Sequence, residues 1–243
     1  MRYLIKVSYN GKNYSGFQIQ NNVDTIQARL ESALSAALKR DVNIVASGRT
    51  DAGVSALGQI CHFDIDNDID VSKKIGHINS LLPRDIRVME LKHVSDEFHA
   101  RYTAKRKTYE YYFYQGLENS IYEEFATNIG YNVDVNGMKD ACKYFLGVHE
   151  FSAFCASNTE VKDKTREIYA IAIKEVNDNL YKLEITGNGF LYNMVRIIMG
   201  TLVNVGLGKM DGEAISNILA NNDRNLAGKT MPAKGLILKN VLY

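Results

Sequence analysis

The pattern of hydrophobic and polar positions predicts alternating strands and helices in the first half of the chain. Residues 2–10 (RYLIKVSYN) alternate with the two-residue period of a β-strand. Residues 24–40 (DTIQARLESALSAALKR) repeat their apolar positions with the period of an α-helix, and Asp24 is its predicted N-cap. The elements expected next are strands at 42–47 and 58–65, a helix at 72–81 and a strand at 85–94.

The second half repeats this order of elements approximately. The expected elements are strands at 107–115, 167–176, 179–187 and 235–243 and helices at 136–148 and 190–206. We therefore expect an α+β fold of two ferredoxin-like α/β-sandwich halves, with mostly antiparallel sheets and a central cleft. The predicted domains are residues 1–104, which include a glycine-rich loop, and residues 105–243.

Composition and charge are those of an ordinary globular protein. Of the 243 residues, 46% are hydrophobic, 23% are charged and only two are proline, so we expect compact structure nearly end to end. The three cysteines lack C-x-x-C spacing, which favours a reducing, cytoplasmic setting over a disulfide framework. We expect neither secretion nor membrane insertion, because the first residues do not match a signal peptide and no apolar run approaches about 20 residues. The net charge of +1 neither demands nor forbids a polyanionic partner.

Three matches to ligand-binding motifs fail on spacing. The acidic run Asp64–Asp70 (DIDNDID) begins like a calcium loop, but Ile69 stands where that loop needs glycine and Ile75 where it needs glutamate. The segment Ala227–Thr230 (AGKT) ends like a phosphate-binding loop, but Asp223 replaces its first glycine. None of the five histidines forms an H-x-x-x-H pair. These failures indicate neither a metal ion nor a nucleoside triphosphate as a ligand.

The glycine-rich segment at 47–59 (SGRTDAGVSALGQ) is the first candidate for chemistry. Its glycines permit a tight loop, on which Arg49 and Asp51 lie two residues apart. A guanidinium there could lie against a phosphate or a base while the carboxylate acts on the substrate. The same residues are also typical of an ordinary turn that has no catalytic role.

A basic and aromatic segment is the second candidate. Residues 100–114 (ARYTAKRKTYEYYFY) contain four cations and a strand that places Tyr109, Tyr111 and Phe113 on one face. Cations pair with phosphates and bases stack on rings, so this composition suits single-stranded or flipped nucleotides. Alternating tyrosines equally well pack a sheet, and the sequence leaves both interpretations open.

Arg196 is the third unusual position, because it interrupts the apolar helix predicted at 190–206. A buried cation costs several kcal/mol unless a carboxylate meets it. We therefore expect an aspartate from elsewhere in the chain as its partner, and Asp51 is one candidate.

Six ordered blocks give the chain a resemblance to the TruA family of tRNA pseudouridine synthases along nearly its whole length. The blocks are YNGKNYSGFQIQ with TIQARLESAL, SGRTDAGVSALGQ, NSLLPRDIRV, FHARYTAKRKTYEYYFY, GNGFLYNMVRIIMGTLVNVG and PAKGLILKNVLY. The resemblance implies that Asp51 is the catalytic residue, that Arg49 assists flipping of the target nucleotide and that Tyr109 contacts the target base. It further implies that Arg196 pairs with the catalytic carboxylate and favours its ionised form.

The resemblance also implies a substrate and an assembly. The expected reaction converts uridine to pseudouridine at positions 38, 39 and 40 of the tRNA anticodon stem-loop, without a metal or redox cofactor. The expected assembly is a homodimer that holds tRNA with both subunits, with the active site in the cleft between two α+β domains. The chain departs from the family pattern at Phe17, usually tryptophan, and at Ser55, usually histidine.

Three other functions stay open at this point. The basic and aromatic segment and the two departures would also suit a tRNA-binding or tRNA-folding module, or a paralogue with a different uridine specificity. A metal-dependent hydrolase that uses the histidines is a weaker alternative. The sequence does not decide whether the carboxylate attacks C1′ of the ribose or removes the 2′ proton in a route through a glycal.

Overall fold

The computed structural model describes residues 1–66, 69–156 and 161–243, so Asn67 and Asp68 of the acidic run lie outside the described residues. The strands are β1 (Arg2–Tyr9), β2 (Val45–Ala46), β3 (Ser55–Asp64), β4 (Ile86–Val94), β5 (Arg106–Tyr114), β6 (Thr127–Asn128), β7 (Gly147–Glu150), β8 (Thr165–Asn177), β9 (Leu180–Gly187) and β10 (Leu236–Leu242). The helices are α1 (Ile26–Leu38), α2 (Val71–Leu81), α3 (Val135–Ala141), α4 (Met194–Gly206) and α5 (Ala214–Asn221).

The chain forms two compact units. Unit 1 comprises Met1–Lys105 and Ile237–Tyr243, and unit 2 comprises Arg106–Leu236. In unit 1 the strand order is β4, β1, β3, β10, with β2 also on β3. In unit 2 it is β5, β9, β8, β7, with β6 on β5. Except for the parallel pairs β3 with β10 and β5 with β6, the strand pairs within each unit are antiparallel. The prediction of mixed α/β structure with mostly antiparallel sheets is therefore confirmed.

Unit 1 buries its core between the sheet and two helices. Residues Tyr3, Ile5 and Val7 of β1 are fully buried, as their alternation predicts. Ile5 lies opposite Cys61 of β3 on one side and Leu91 of β4 on the other. Helices α1 and α2 pack against each other, and α2 packs against β4. The buried side chains of α1 are Ile26, Leu30, Ala33, Leu34, Ala37 and Leu38, the apolar positions seen in the sequence.

The N-cap of α1 corrects the prediction from the sequence. Thr25, not Asp24, caps the helix, because Thr25 has an extended backbone and its side chain accepts a hydrogen bond from the backbone N–H of Ala28. Asp24 instead receives the guanidinium of Arg29, at 2.6 Å in the shortest contact. This hydrogen-bonded pair holds the pKa of the Asp24 carboxyl below its usual value.

Unit 2 differs from the prediction around its first helix. The helix expected at 136–148 is α-helical only to Ala141, continues as a 3-10 turn to Phe145 and is followed by strand β7. The change of direction occurs at Gly147, whose φ of +93° suits glycine and few other residues. Helix α5 had no counterpart among the predicted elements. None of the helices in the described ranges combines the length and the hydropathy that a membrane span requires.

The aromatic side chains of strand β5 differ in how deeply they are buried. Tyr111 and Phe113 are fully buried, and the Phe113 ring stacks on Tyr181 with ring centres 5.6 Å apart. On the other face, the buried Glu110 carboxylate accepts a hydrogen bond from Lys182 Nζ at 2.7 Å. The packing interpretation of the alternating tyrosines is therefore right for Tyr111 and Phe113.

A buried histidine in β3 has an unusual acidity. His62 is only 3% exposed, and its Nδ1 accepts a hydrogen bond from the backbone N–H of Ala100 at 3.1 Å. Burial is the main cause that lowers the pKa of His62 from 6.5 to about 4, with Arg2 and His99 acting in the same direction and Asp64 opposing them. The folded protein therefore holds His62 as the neutral imidazole.

We expect the free energy of unfolding to fall as the pH is lowered from 6.5 to 4. In this pH range His62 binds a proton in the unfolded chain but not in the folded chain. The loss specific to this residue is up to about 3 kcal/mol. Urea unfolding at several pH values should show that the stability difference between wild type and His62→Gln shrinks as pH falls. The exposed His77, changed to Gln, is the control. A pH-independent difference for His62→Gln would contradict the assignment.

Candidate active site

The loop that carries Arg49 and Asp51 joins β2 to β3 in unit 1, and we call residues 47–54 the GRTD loop. The side chain of Arg49 is exposed, and that of Asp51 is half-buried. Thr50, between them, is only 6% exposed. Arg49 and Asp51 therefore flank a residue that is anchored in the protein.

Thr50 fixes the centre of the GRTD loop through both its side chain and its backbone. Its Oγ1 and the Tyr9 hydroxyl form a buried hydrogen bond of 2.7 Å. Its carbonyl accepts a hydrogen bond from the backbone N–H of Phe17 at 3.0 Å. Because Tyr9 ends strand β1, the position of the loop is set by the sheet.

The start of the GRTD loop is fixed by a buried glutamine of β3. Ser47 Oγ donates to Gln59 Oε1 at 2.6 Å, and Gln59 Nε2 donates to the carbonyl of Gly48 at 2.8 Å. Both Ser47 and Gln59 are fully buried. A buried amide that satisfies both of its ends within one loop holds that loop in a single conformation.

The end of the GRTD loop is a tight turn closed by Asp51. The carbonyl of Asp51 accepts a hydrogen bond from the backbone N–H of Val54 at 3.1 Å, and Gly53 has a φ of +78°. Directly after the loop, Ser55 Oγ accepts a hydrogen bond from the backbone N–H of Gly11 at 3.0 Å. The backbone of Gly11 passes so near the loop that a Cβ there would lie 2.1 Å from the carbonyl oxygen of Val54.

The two departures from the family pattern both lie in the support of this loop. Phe17 is 2% exposed, its ring centre is 6.1 Å from that of Tyr9, and its backbone N–H holds Thr50. The hydroxyl of Ser55 accepts the hydrogen bond from the backbone N–H of Gly11. Phe17 and Ser55 are therefore both part of the support of the GRTD loop, Phe17 through its backbone N–H and its packing on Tyr9, and Ser55 through its hydroxyl.

Tyr109 lies on β5 of unit 2, opposite Ile185 of β9. Its side chain is half-buried, unlike the fully buried Tyr111 and Phe113 two and four residues later. The rings of Tyr109 and Phe190 pack edge to face, with ring centres 5.1 Å apart and ring planes at 83°. Tyr109 is thus oriented by an aromatic contact and still partly accessible.

Arg196 lies in the first turn of α4, which begins later than predicted because Asn193 adopts a left-handed conformation with a φ of +61°. The side chain of Arg196 is half-buried rather than fully buried. Its Nη1 donates to Asn193 Oδ1 and its Nε donates to the carbonyl of Met231, both at 2.6 Å. Two neutral oxygens thus orient the guanidinium, and its predicted pairing with Asp51 stays a prediction.

The segment that receives Arg196 is itself held by the core of unit 2. The hydroxyl of Tyr111 donates to the carbonyl of Pro232 at 2.8 Å, next to the carbonyl that receives Arg196. Burial raises the pKa of Tyr111, against the opposing effects of its hydrogen bond with Thr127 and of the charge of Arg196. A Cβ on Gly200 of α4 would lie 1.9 Å from the carbonyl oxygen of Lys229, so the segment and the helix are in backbone contact.

The predicted site residues fall into two pairs. Arg49 and Asp51 share the GRTD loop of unit 1, and Tyr109 and Arg196 belong to unit 2. The sequence did not single out Tyr9, Thr50 and Gln59 as supports of the site, because each looks like an ordinary strand or loop position. Within the ranges 1–66, 69–156 and 161–243, no three His, Cys, Asp or Glu side chains lie close enough together to hold a metal ion.

Comparisons with known proteins place this chain in a family. A family model described as tRNA pseudouridine synthase matches residues 5–103 and 141–243. A tRNA pseudouridine synthase A of Bacillus pumilus is 45% identical, with 100% of this chain and 99% of the relative covered. The proteins of the same name from Shouchella clausii and Bacillus subtilis are 46% and 42% identical, with 100% of this chain and 93% and 99% of those relatives covered.

These matches show that the chain belongs to the tRNA pseudouridine synthases. The shared name of the relatives, tRNA pseudouridine synthase A, confirms the TruA family inferred from the six sequence blocks. Among solved structures, a crystal structure of an archaeal box H/ACA sRNP Nop10-Cbf5 complex aligns with a TM-score of 0.36 and 10% identity, covering 98% of this chain and 46% of that one.

We expect Gly16→Ala to destabilise the protein more than Gly130→Ala, although both glycines have the same φ of +96°. Each alanine bears a strain of about 1–3 kcal/mol for its backbone conformation. Only the Cβ at Gly16 meets the GRTD loop, at 3.0 Å from the carbonyl oxygen of Thr50, whereas nothing lies within 4 Å at Gly130. Urea unfolding of the two variants measures the difference. Equal losses would show that the loop yields to the added methyl group.

Proposed function

We propose that the protein isomerises uridine to pseudouridine at positions 38, 39 and 40 of the tRNA anticodon stem-loop, with Asp51 as the catalytic carboxylate. The observation that carries the proposal is the GRTD loop, in which a rigid, sheet-anchored backbone presents Asp51 beside the exposed Arg49. Membership of the tRNA pseudouridine synthases over the full length supports the reaction and the substrate class.

The proposed reaction exchanges one bond for another within a single nucleotide. The bond between N1 of uracil and C1′ of ribose breaks, the base rotates, and a bond forms between C5 and C1′. The proton on C5 leaves and N1 gains a proton, so that product and substrate are isomers. The role of Asp51 is to act on the ribose, either by attack on C1′ or by removal of the 2′ proton, for which the ionised carboxylate is the useful form.

The other three residues serve binding in this proposal. A base must leave the RNA stack before the enzyme can act on it, which costs a few kcal/mol. The exposed guanidinium of Arg49 is suited to fill the space that the flipped base leaves, or to pair with the phosphates beside that space. The half-exposed ring of Tyr109, oriented by Phe190, is suited to the target base. The role that the resemblance gives to Arg196, pairing with the carboxylate, belongs to the same proposal.

The structure favours an active isomerase over a binding module that has lost its chemistry. The departures at Phe17 and Ser55 were the sequence features that motivated the module. Both residues support the loop of Asp51 by contacts of their own. The departures therefore leave the support of the Asp51 loop in place, as an active isomerase requires.

The proposal extends to assembly, location and domain division. We infer a homodimer that holds tRNA with both subunits and a cytoplasmic location, where its substrate is found. We also keep the division into pseudouridine synthase domains at residues 1–104 and 105–243 as a prediction. Arg49 and Asp51 would then belong to the N-terminal domain, and Tyr109 and Arg196 to the C-terminal one.

We expect Asp51→Asn to abolish pseudouridine formation while tRNA binding persists. The substitution removes the charge and keeps the size of the side chain. Tritium release from tRNA transcripts that carry [5-³H]uridine, measured at equal tRNA occupancy, reports the chemistry at C5. The exposed Asp41, changed to Asn, is the control and should release tritium like wild type. Full activity of Asp51→Asn would disprove the proposal, and mapping the product should place it at positions 38–40.

We expect sedimentation equilibrium to give the mass of two chains, and tRNA to bind this dimer rather than a single chain. The reason is the inferred use of both subunits to hold tRNA. The measurement is made across a range of protein concentrations, with and without tRNA. A monomer that binds one tRNA at every concentration would contradict the inferred assembly and would leave the assignment of Asp51 unaffected.

A further inference from the structure

An exposed tyrosine lies on the turn formed by residues 98–103 in unit 1, which we call the Tyr102 turn. Tyr102 is 77% exposed, more than the 59% of Tyr131. Its ring nevertheless has a defined orientation, because it stacks on the ring of His99 with centres 4.3 Å apart and planes at 29°. One face of Tyr102 is therefore supported by the protein.

His99 is itself held by the backbone of the turn. Its Nδ1 accepts hydrogen bonds from the backbone N–H groups of Arg101 and Tyr102, both at 3.2 Å. This geometry requires an unprotonated Nδ1. Behind His99 lies the buried His62, with ring centres 4.8 Å apart. The support of Tyr102 is therefore continuous from the surface to the core of unit 1.

The backbone of the Tyr102 turn is tied to the sheet of unit 1. The N–H of Ala100 donates to His62 Nδ1 of β3 at 3.1 Å, and the carbonyl of Ala100 accepts from the Tyr243 hydroxyl at 2.6 Å. Thr103 closes the turn, because its Oγ1 donates to the carbonyl of His99 at 2.7 Å. The exposure of Tyr102 is thus a property of a well-anchored turn rather than of a loose loop.

The charges beside Tyr102 are positive. The guanidinium carbon of Arg101 lies 5.9 Å from the centre of the Tyr102 ring, and Lys105, three residues further, is exposed. Asp96 and Glu97 belong to the preceding turn, and the charge of Asp96 acts on Arg2. An aromatic ring with adjacent cations suits a nucleotide, since the ring stacks on the base and the cations attract the phosphates.

We propose that Tyr102, supported by His99 and flanked by Arg101, is a stacking site for an unpaired base of tRNA other than the uridine that is isomerised. The inference rests on the proposed function in that it takes tRNA as the ligand. The base is a second one because the target uridine has its own proposed contacts in Arg49 and Tyr109. The site contributes to the affinity and the placement of the tRNA, and takes no part in bond breaking.

The test measures tRNA affinity and chemistry separately. In filter binding with the full chain in the Asp51→Asn background, Tyr102→Ala should raise the Kd for tRNA about 5- to 150-fold, the range expected for the loss of one base stack. Tyr102→Phe should bind like its parent, because the ring is kept. In the active background, Tyr102→Ala should keep the single-turnover rate at saturating tRNA.

Three controls separate stacking from other causes. Tyr131→Ala removes another exposed tyrosine and should leave the Kd unchanged. The salt dependence of the Kd should have the same slope for Tyr102→Ala as for its parent, since no phosphate contact is lost, whereas Arg101→Gln should reduce that slope by about one. Sedimentation of Tyr102→Ala should match the wild type, and a changed oligomeric state would overturn the proposal in favour of a protein interface.

An abasic scan identifies the base. Transcripts that lack one base at each unpaired position in turn are bound to the parent and to Tyr102→Ala. One position should weaken binding to the parent and have no further effect on Tyr102→Ala, as expected when both changes remove the same contact. An unchanged Kd for Tyr102→Ala, or a lower single-turnover rate at an unchanged Kd, would overturn the proposal. If wild type forms no pseudouridine but the Tyr102-dependent affinity persists, the proposed function fails and the stacking site stands.

Discussion

The buried hydrogen bond between Thr50 and Tyr9 is the constraint on which the proposed chemistry depends. A catalytic side chain has to be placed within about 0.5 Å, and a loop ordinarily does not provide that precision. Here the residue between Arg49 and Asp51 is the one that the sheet holds. Support from Gln59 at one end and Gly11 at the other acts on the backbone. The loop can therefore be rigid while its two polar side chains stay available to a substrate.

Unit 2 positions its arginine by a similar principle. Arg196 is oriented by a side-chain amide of its own helix terminus and by the carbonyl of Met231. That carbonyl is fixed in turn, since Tyr111 holds the next residue and the close approach at Gly200 leaves little room for movement. The neighbouring tyrosines of β5 thus have different tasks. Tyr111 supports the backbone beneath the site, and Tyr109 keeps part of its ring accessible.

Much of the fold was predictable because it follows from periodicity. The alternation in β1 and the apolar face of α1 each place their residues as the sequence indicates. The ends of elements were less predictable, because they depend on single backbone conformations such as those at Asn193 and Gly147. The candidate residues could be named from their blocks. Their supports could not, since the bond from Thr50 to Tyr9 joins positions 41 residues apart and leaves no local pattern.

The parallel pairing of β10 with β3 makes unit 1 depend on the order of synthesis. Ile237 and Leu238 lie beside Ser55 and Ala56, the first residues after the GRTD loop. On the ribosome, β3 therefore lacks this neighbour until all of unit 2 has been translated. A chain that stops before residue 237 has the entire loop but lacks the strand that flanks its exit. Under the proposed function, the support of the Asp51 carboxylate is therefore complete only in a chain that has been translated past this strand.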